Sequence, residues 1–196
     1  MDARTNTAVN TATRIAAGDD RTHYDAFAIT LHWATVVLVL TQFVLGQTWG
    51  WFDKSTRHTM IVTHMSLGVI LTAVIVIRIG WRLIPGHQMP PAVAGWVEMA
   101  SKAVHYLLYT LLAVEAALGF VLRWSSGEAM SFFGLPIPPP FEPTSKPAHR
   151  LIGDIHNWNG WAIIILAAGH AGAALYHHYA LHDRVLSRML PLARAR

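Results

Sequence analysis

Four long apolar stretches dominate the pattern of hydrophobic and polar positions along the chain. They cover approximately residues 27–49, 61–84, 103–122 and 155–181. A helix needs roughly 20 mainly apolar residues to cross a bilayer, and each stretch reaches that length. The pattern therefore predicts an all-α protein, an integral membrane four-helix bundle whose outer surface contacts the lipid bilayer.

Charged residues are too few for a soluble protein. They make up 13% of the 196 residues, whereas 53% are hydrophobic; soluble domains carry about 25% charged residues. The absence of cysteine excludes thiolate metal sites, iron–sulfur clusters and disulfides, so any metal must be held by histidine, methionine or oxygen. A pI near 9.8 could indicate nucleic-acid binding, but no basic helix or basic run with interleaved aromatics is present. No nucleic acid partner is expected.

The connectors divide the chain into three regions. Prolines interrupt it after the second apolar stretch, at residues 85, 90 and 91, and fill the connector before the fourth. We predict a flexible cytoplasmic tail over 1–24, a four-helix transmembrane domain over 25–184 and a basic cytoplasmic tail over 185–196. No internal repeat or second domain is indicated.

Lysines and arginines predict the orientation, because cytoplasmic connectors retain them. One side would carry ten of them: Arg4, Arg14, Arg21, Arg78, Arg82, Lys102, Arg184, Arg188, Arg194 and Arg196. The other side would carry five: Lys54, Arg57, Arg123, Lys146 and Arg150. This asymmetry predicts a multi-pass protein with both termini in the cytoplasm, and makes the connector 123–154 the largest periplasmic feature.

Four histidines fall at matching depths in the predicted spans. His32 lies near the cytoplasmic start of span one, and His64 near the periplasmic start of span two. Span four begins with His156 and reaches His170 fourteen residues later. That spacing corresponds to roughly 21 Å along a helix and returns to nearly the same face. The depths pair His32 with His170 and His64 with His156.

Paired imidazoles across a bundle core are the arrangement that holds six-coordinate haem iron. The two pairs therefore predict two haem b groups, with His32, His170, His64 and His156 as axial ligands of the iron. Both axial positions would be filled by protein, which suits one-electron transfer. A single histidine in a span is more often interfacial or hydrogen-bonded, but four matching in depth favour ligation. His105, near the cytoplasmic start of span three, competes for a ligand role.

Other polar residues in or near the spans are candidates for supporting roles. Arg78 and Arg82 follow span two at the depth of His32 and are candidate partners of haem propionates, although they also fit simple positive-inside topology. Glu115 is the one acidic residue deep in an apolar stretch, and would carry a proton or bond a neighbouring helix. His177, at the cytoplasmic boundary with His178, could face a quinone or the membrane interface.

Several segments resemble the bacterial cytochrome b561 family, which includes a small superoxide-oxidising quinone reductase of the inner membrane. They are ITLHW at 29–33, VTHMSLG at 62–68, VIRIGWRL at 76–83, DIHNWNGW at 154–161 and GHAGAALYHHY at 169–179. The resemblance covers nearly everything from Tyr24 onward. It implies the same two ligand pairs and assigns no ligand role to His105. The chain departs from the family where Glu115 and Ala116 replace a proline common late in the third span.

The resemblance implies an inner-membrane oxidoreductase that takes electrons from superoxide at the periplasmic face and reduces ubiquinone. A second hypothesis is a haem b relay subunit of a larger dehydrogenase or hydrogenase, which would exchange electrons with a redox partner protein. A third is a histidine-lined transporter of a divalent metal. That function would need carboxylates beside the histidines, and the spans offer only Glu115.

Overall fold

Four long helices make up most of the protein. A computed structural model describes residues 24–84, 94–183 and 185–190. In these ranges α1 covers Ala26–Thr48, α2 Lys54–Leu83, α3 Trp96–Ser125 and α4 Lys146–Tyr179. All four are long and apolar enough to cross a membrane. The predicted all-α membrane bundle is confirmed.

Three of the helices begin well before the apolar stretches that predicted them. The apolar stretches began at residues 61, 103 and 155, but α2 begins at Lys54, α3 at Trp96 and α4 at Lys146. Polar caps explain two of these starts. The Asp53 side chain accepts hydrogen bonds from the first backbone amides of α2, and Ser145 caps α4 in the same way. Hydropathy detects only the part of a helix that suits lipid, so it misses these polar first turns.

The bundle is apolar both inside and outside. Its interior centres on Leu71, Ile75, Leu112 and Ile163, contributed by α2, α3 and α4. Large aliphatic side chains also point outward along the middle of the helices, as at Val76 with 64% exposure and Ile165 with 67%. A helix that is apolar on every face belongs in a membrane, where lipid covers the outer face. The most extensive packing is of α3 on α4 and of α1 on α2.

The connector between α3 and α4 contains a short hairpin that the sequence analysis did not predict. Strand β1, Met130–Phe132, pairs antiparallel with β2, Leu135–Ile137. The turn between them needs a left-handed backbone, which Gly134 adopts at φ 88°. Fully buried Ser66 of α2 anchors the hairpin, because its hydroxyl accepts a hydrogen bond from the Phe133 amide at 2.9 Å. The hairpin is thereby fixed against the first half of α2.

A short segment after α4 returns to the start of α1. The Trp33 indole donates a hydrogen bond to the Met189 carbonyl at 2.9 Å, and the Tyr24 amide donates one to the Arg188 carbonyl at 3.3 Å. The described part of the predicted C-terminal tail, residues 185–190, therefore packs on the bundle. Residues 1–23 and 191–196, which form the rest of the two predicted tails, lie outside the described residues. The three-region division stays a prediction.

Candidate functional site

Two histidines meet in the half of the bundle where α2 and α4 begin. His64 and His156 each lie ten residues after the first residue of their helix. Their ring centroids are 6.4 Å apart. Since an imidazole nitrogen binds a metal ion at about 2 Å, two rings on opposite sides of one ion would have centres about 6 Å apart. The observed separation matches that arrangement.

The surroundings of these two rings also fit a bound group. The Nδ1 atoms of His64 and His156 are buried, and neither has an aligned hydrogen-bond partner among the described residues. Buried polar atoms are seldom left so, and an exception indicates a functional role. A Cβ added at Gly46 would come within 3.6 Å of His64 Cε1, and one at Gly119 within 3.6 Å of His156 Cε1. Glycines on α1 and α3 thus leave space beside both rings.

Glu115 lies at the same level and bonds the neighbouring helix. Its Oε1 is 3.2 Å from His156 Nδ1, while its Oε2 accepts a hydrogen bond from Asn159 Nδ2 at 2.7 Å. Asn159 Nδ2 also approaches the Leu111 carbonyl at 3.0 Å. The carboxylate therefore connects α3 to α4 beside one of the two histidines.

Three histidines meet near the opposite end of the bundle. The His105 and His170 ring centroids are 4.9 Å apart at an interplanar angle of 74°. His32 lies at the same end, and its Nδ1 accepts a hydrogen bond from Arg78 Nη2 at 2.9 Å. His105 Nδ1 donates to the Ser101 carbonyl at 2.7 Å. The sequence placed His32 with His170, and the structure adds His105 as a direct neighbour of His170.

Comparison with known proteins gives the family. The model of the family described as prokaryotic cytochrome b561 matches residues 23–192. The chain belongs to that family. Its members are membrane proteins that bind b-type haem and transfer electrons. The resemblance found in the sequence is confirmed, and so are the membrane location and the electron-transfer function in this general form.

Several relatives match most of this chain and most of their own length. Cytochrome b561 homolog 1 of Escherichia coli K12 is 36% identical over 169 residues, which cover 83% of this chain and 94% of the relative. Cytochrome b561 homolog 2 of the same organism is 29% identical, with 85% and 90% covered. A protein named probable superoxide oxidase CybB, from Yersinia pestis, is 26% identical, with 87% and 97% covered.

The residues at the His64–His156 level fit the b-type haem of the cytochrome b561 family. The two rings have the separation that axial ligands need, and glycines of α1 and α3 flank both. At the other level, Arg78 and Arg82 lie over the Tyr109 ring at 5.3 and 5.9 Å from its centroid. The two guanidinium groups thus lie close together near His32. A pair of guanidinium groups is suited to bind carboxylates such as haem propionates.

His177 is engaged by a residue that the sequence analysis did not single out. Its Nδ1 lies 2.5 Å from Asp183 Oδ2, and the Val185 amide donates to Asp183 Oδ1 at 3.0 Å. Burial alone would raise the pKa of Asp183, but the hydrogen bonds from His177 and Val185 hold that pKa below its ordinary value. Asp183 therefore remains an anion that fixes the His177 ring. The sequence signal that could have identified Asp183 was its place six positions after His177, just beyond the end of α4.

Two further polar residues were missed in the sequence. Asn159 holds Glu115, and Gln42 of α1 donates from Nε2 to the His64 carbonyl at 2.9 Å. Both are amides within apolar spans, where a polar side chain is costly unless it is bonded. That energetic cost was the signal that could have identified Asn159 and Gln42.

Across the described ranges, no group of three or more histidine, aspartate or glutamate side chains is arranged to hold a metal ion.

Proposed function

We propose that the chain is a dihaem b-type cytochrome of the bacterial inner membrane that oxidises superoxide at its periplasmic face and reduces ubiquinone. The observation that carries the proposal is the 6.4 Å separation of the His64 and His156 rings at one end of a bundle whose other end gathers a second set of histidines. The orientation follows the lysine and arginine distribution, with both termini in the cytoplasm.

In this proposal His64 and His156 would hold the periplasmic haem, and His32 and His170 the cytoplasmic haem. Arg78, which donates to His32 Nδ1 in the structure, would leave that nitrogen for a haem propionate when the haem is bound. When bound, each haem supplies an iron that takes up and releases one electron reversibly. Because two histidines would hold each iron, oxygen species would not bind it directly. Arg78 and Arg82 would balance the charge of the propionates at the cytoplasmic level.

Basic residues at the start of α4 would attract an anionic donor. Lys146 and Arg150, spaced one turn apart, line a surface depression together with Leu151 and Asp154. Arg150 precedes His156 by six residues, or about 9 Å along the helix axis. A cationic rim at that distance raises the local concentration of a small anion such as superoxide. The relative named probable superoxide oxidase supports this choice of donor.

Ubiquinone reduction needs two electrons and two protons, so two superoxide anions and one ubiquinone would give two dioxygen molecules and one ubiquinol. The proposed proton donor at the cytoplasmic end is His177, which Asp183 holds in place. Glu115 lies at the other level, beside His156. Its suggested role as a proton carrier stays a prediction.

A relay subunit is the second candidate function. The hairpin, which is not part of a membrane-spanning helix, exposes Phe133 at 65% and Leu135 at 67%. Large exposed apolar side chains on a rigid hairpin suit docking of a protein partner. In that case a dehydrogenase or hydrogenase subunit would supply the electrons in place of superoxide.

The test begins with a pyridine haemochrome assay on the detergent-purified chain, followed by superoxide-driven reduction of ubiquinone on the same sample. We expect two haem b per chain and turnover that superoxide dismutase abolishes. Two haems without turnover would favour the relay subunit. Fewer than two haems would overturn the dihaem assignment.

A further inference from the structure

Glu115 lies beside His156 and not beside His64, the other proposed ligand of the same haem. We infer that the Glu115 carboxylate accepts a hydrogen bond from His156 Nδ1 and thereby lowers the reduction potential of the haem held between His64 and His156. The inference rests on the proposed function, because it concerns the haem that His64 and His156 would hold. It identifies a residue that sets the reduction potential of that haem. Glu115 is a positioning residue in this account, because it acts through His156.

The carboxylate is held in place by α4. Glu115 Oε1 is 3.2 Å from His156 Nδ1, and Asn159 Nδ2 donates to Oε2 at 2.7 Å. On α4, His156, Asn159 and Gly160 are three and four residues apart and so share one helix face. One helix face therefore presents both the histidine and the amide that secures its acceptor.

Glycines provide the room for this contact. A Cβ at Gly160 would stand 3.2 Å from Glu115 Oε1, closer than a side chain normally tolerates. On α3, Gly119 lies one turn beyond Glu115, and a Cβ there would be 3.6 Å from His156 Cε1. Gly160 of α4 thus leaves space for the Glu115 carboxylate, and Gly119 of α3 leaves space for the His156 ring.

The chemistry follows from what a ligand imidazole requires. A histidine that binds iron through Nε2 carries its proton on Nδ1, which then needs an acceptor. His156 Nδ1 has no aligned hydrogen-bond partner among the described residues, and Glu115 Oε1, 3.2 Å away, is close enough to align by a small rotation of either group. A carboxylate acceptor makes the imidazole a stronger donor to the metal. Stronger donation, together with the nearby negative charge, stabilises ferric over ferrous iron.

The two ligands of this site therefore differ. His64 Nδ1 is buried without a hydrogen-bond partner in the described part of the chain, whereas His156 Nδ1 has Glu115 beside it. Because only one haem level contains this carboxylate, its removal should change the potential of one haem and leave the other nearly unchanged. A role confined to joining α3 and α4 would not predict a selective shift.

The experiment is a spectroscopic redox titration of the purified holoprotein. Wild type is compared with E115Q, which keeps the shape and removes the charge, with E115A, and with the control E98Q. Glu98 lies on the same helix, where it pairs with Lys102 near the other end. The same substitutions in an H170A background isolate the haem at His64–His156. Replacing the hydrogen-bond partner of a metal ligand typically costs about tenfold or more in metal affinity or activity.

We expect E115Q and E115A to raise the midpoint potential of that haem by about 59 mV, which corresponds to a tenfold change for one electron. The g values of its ferric EPR signal should change as well, and E98Q should alter neither. If E115A loses a haem, the midpoint potentials measured for E115Q decide whether the inference holds.

The inference is overturned if E115Q keeps both haems at wild-type potentials, if both haems shift equally, or if E115Q itself loses a haem. Fewer than two haems in the wild type would instead contradict the proposed function, so the two failures are distinguishable by haem content.

Discussion

The imidazole rings of His105 and His170 lie 4.9 Å apart, closer than the 6.4 Å between the rings of His64 and His156. Two rings that bind opposite sides of one metal ion cannot approach so closely, because the two bonds alone take up about 4 Å and the rings extend further. The short separation therefore indicates ring packing between His105 and His170. His105 and His170 as placed here therefore do not have the separation of two ligands of one ion, and His32 stays the predicted partner of His170.

Substitution of these histidines separates the two possible pairings. We expect H32A and H170A each to lose one of the two haems, and H105A to keep both with a small spectral shift. The measurement is the haem-to-protein ratio by pyridine haemochrome. Loss of a haem in H105A combined with its retention in H32A would assign the pair to His105 and His170 instead.

The other level should lose its haem independently. H64A and H156A are each expected to bind one haem per chain, because a single remaining imidazole leaves the iron with one axial position unfilled. H58A is the matched control, since His58 is an exposed histidine on the same helix as His64. Retention of both haems in H64A and H156A would refute this ligand pair.

Gly68 allows the close approach that positions His64. A Cβ at Gly68 would stand 2.9 Å from Gln42 Nε2, the atom that donates to the His64 carbonyl. In G68A the amide must move, and the lost hydrogen bond should reduce stability by about 1 kcal/mol. The thermal midpoint in detergent and the haem content measure the effect.

Gly80 on the same helix provides the control for that substitution. A Cβ there meets nothing within 4 Å. G80A should therefore be neutral or slightly stabilising, since alanine has a higher helix propensity than glycine. Equal behaviour of G68A and G80A would show that the Gln42 contact does not constrain the bundle.

Charge reversal at the start of α4 tests the attraction of the donor. K146E and R150E should each slow superoxide-driven quinone reduction by roughly three- to tenfold at low ionic strength, with the difference from wild type shrinking as salt is added. Haem content should not change. K102E, at the opposite end of the bundle, is the control. Equal rates for wild type and R150E at low salt would show that the basic residues at the start of α4 do not attract the donor.

The hairpin anchor separates the two candidate functions. S66A removes the hydroxyl that accepts from the Phe133 amide, so the hairpin should become more accessible to protease. If superoxide is the donor, turnover of S66A should remain close to wild type. If a protein partner docks on the hairpin, S66A and F133S should weaken co-purification of that partner. The readouts are limited proteolysis, turnover and pull-down.

Hydropathy was enough to predict the number of spans and the fold class, because only a self-bonded helix satisfies its backbone in lipid. The spacing of His156 and His170 likewise follows from helix geometry alone. The starts of α2 and α4 could not be predicted in this way, because Asp53 and Ser145 act through local capping, which hydropathy does not record. The hairpin depends on Ser66, which is distant from it in sequence.

The sequence by itself determined a membrane-spanning helical bundle with histidines at two depths, since the apolar stretches and a regular helix leave little freedom along the chain. Only the tertiary structure decided which side chains meet across helices. It placed Glu115 and Asn159 beside His156, His105 against His170, and Asp183 on His177. Such contacts depend on the rotation and separation of neighbouring helices, which side-chain packing sets and the periodicity of any single helix does not contain.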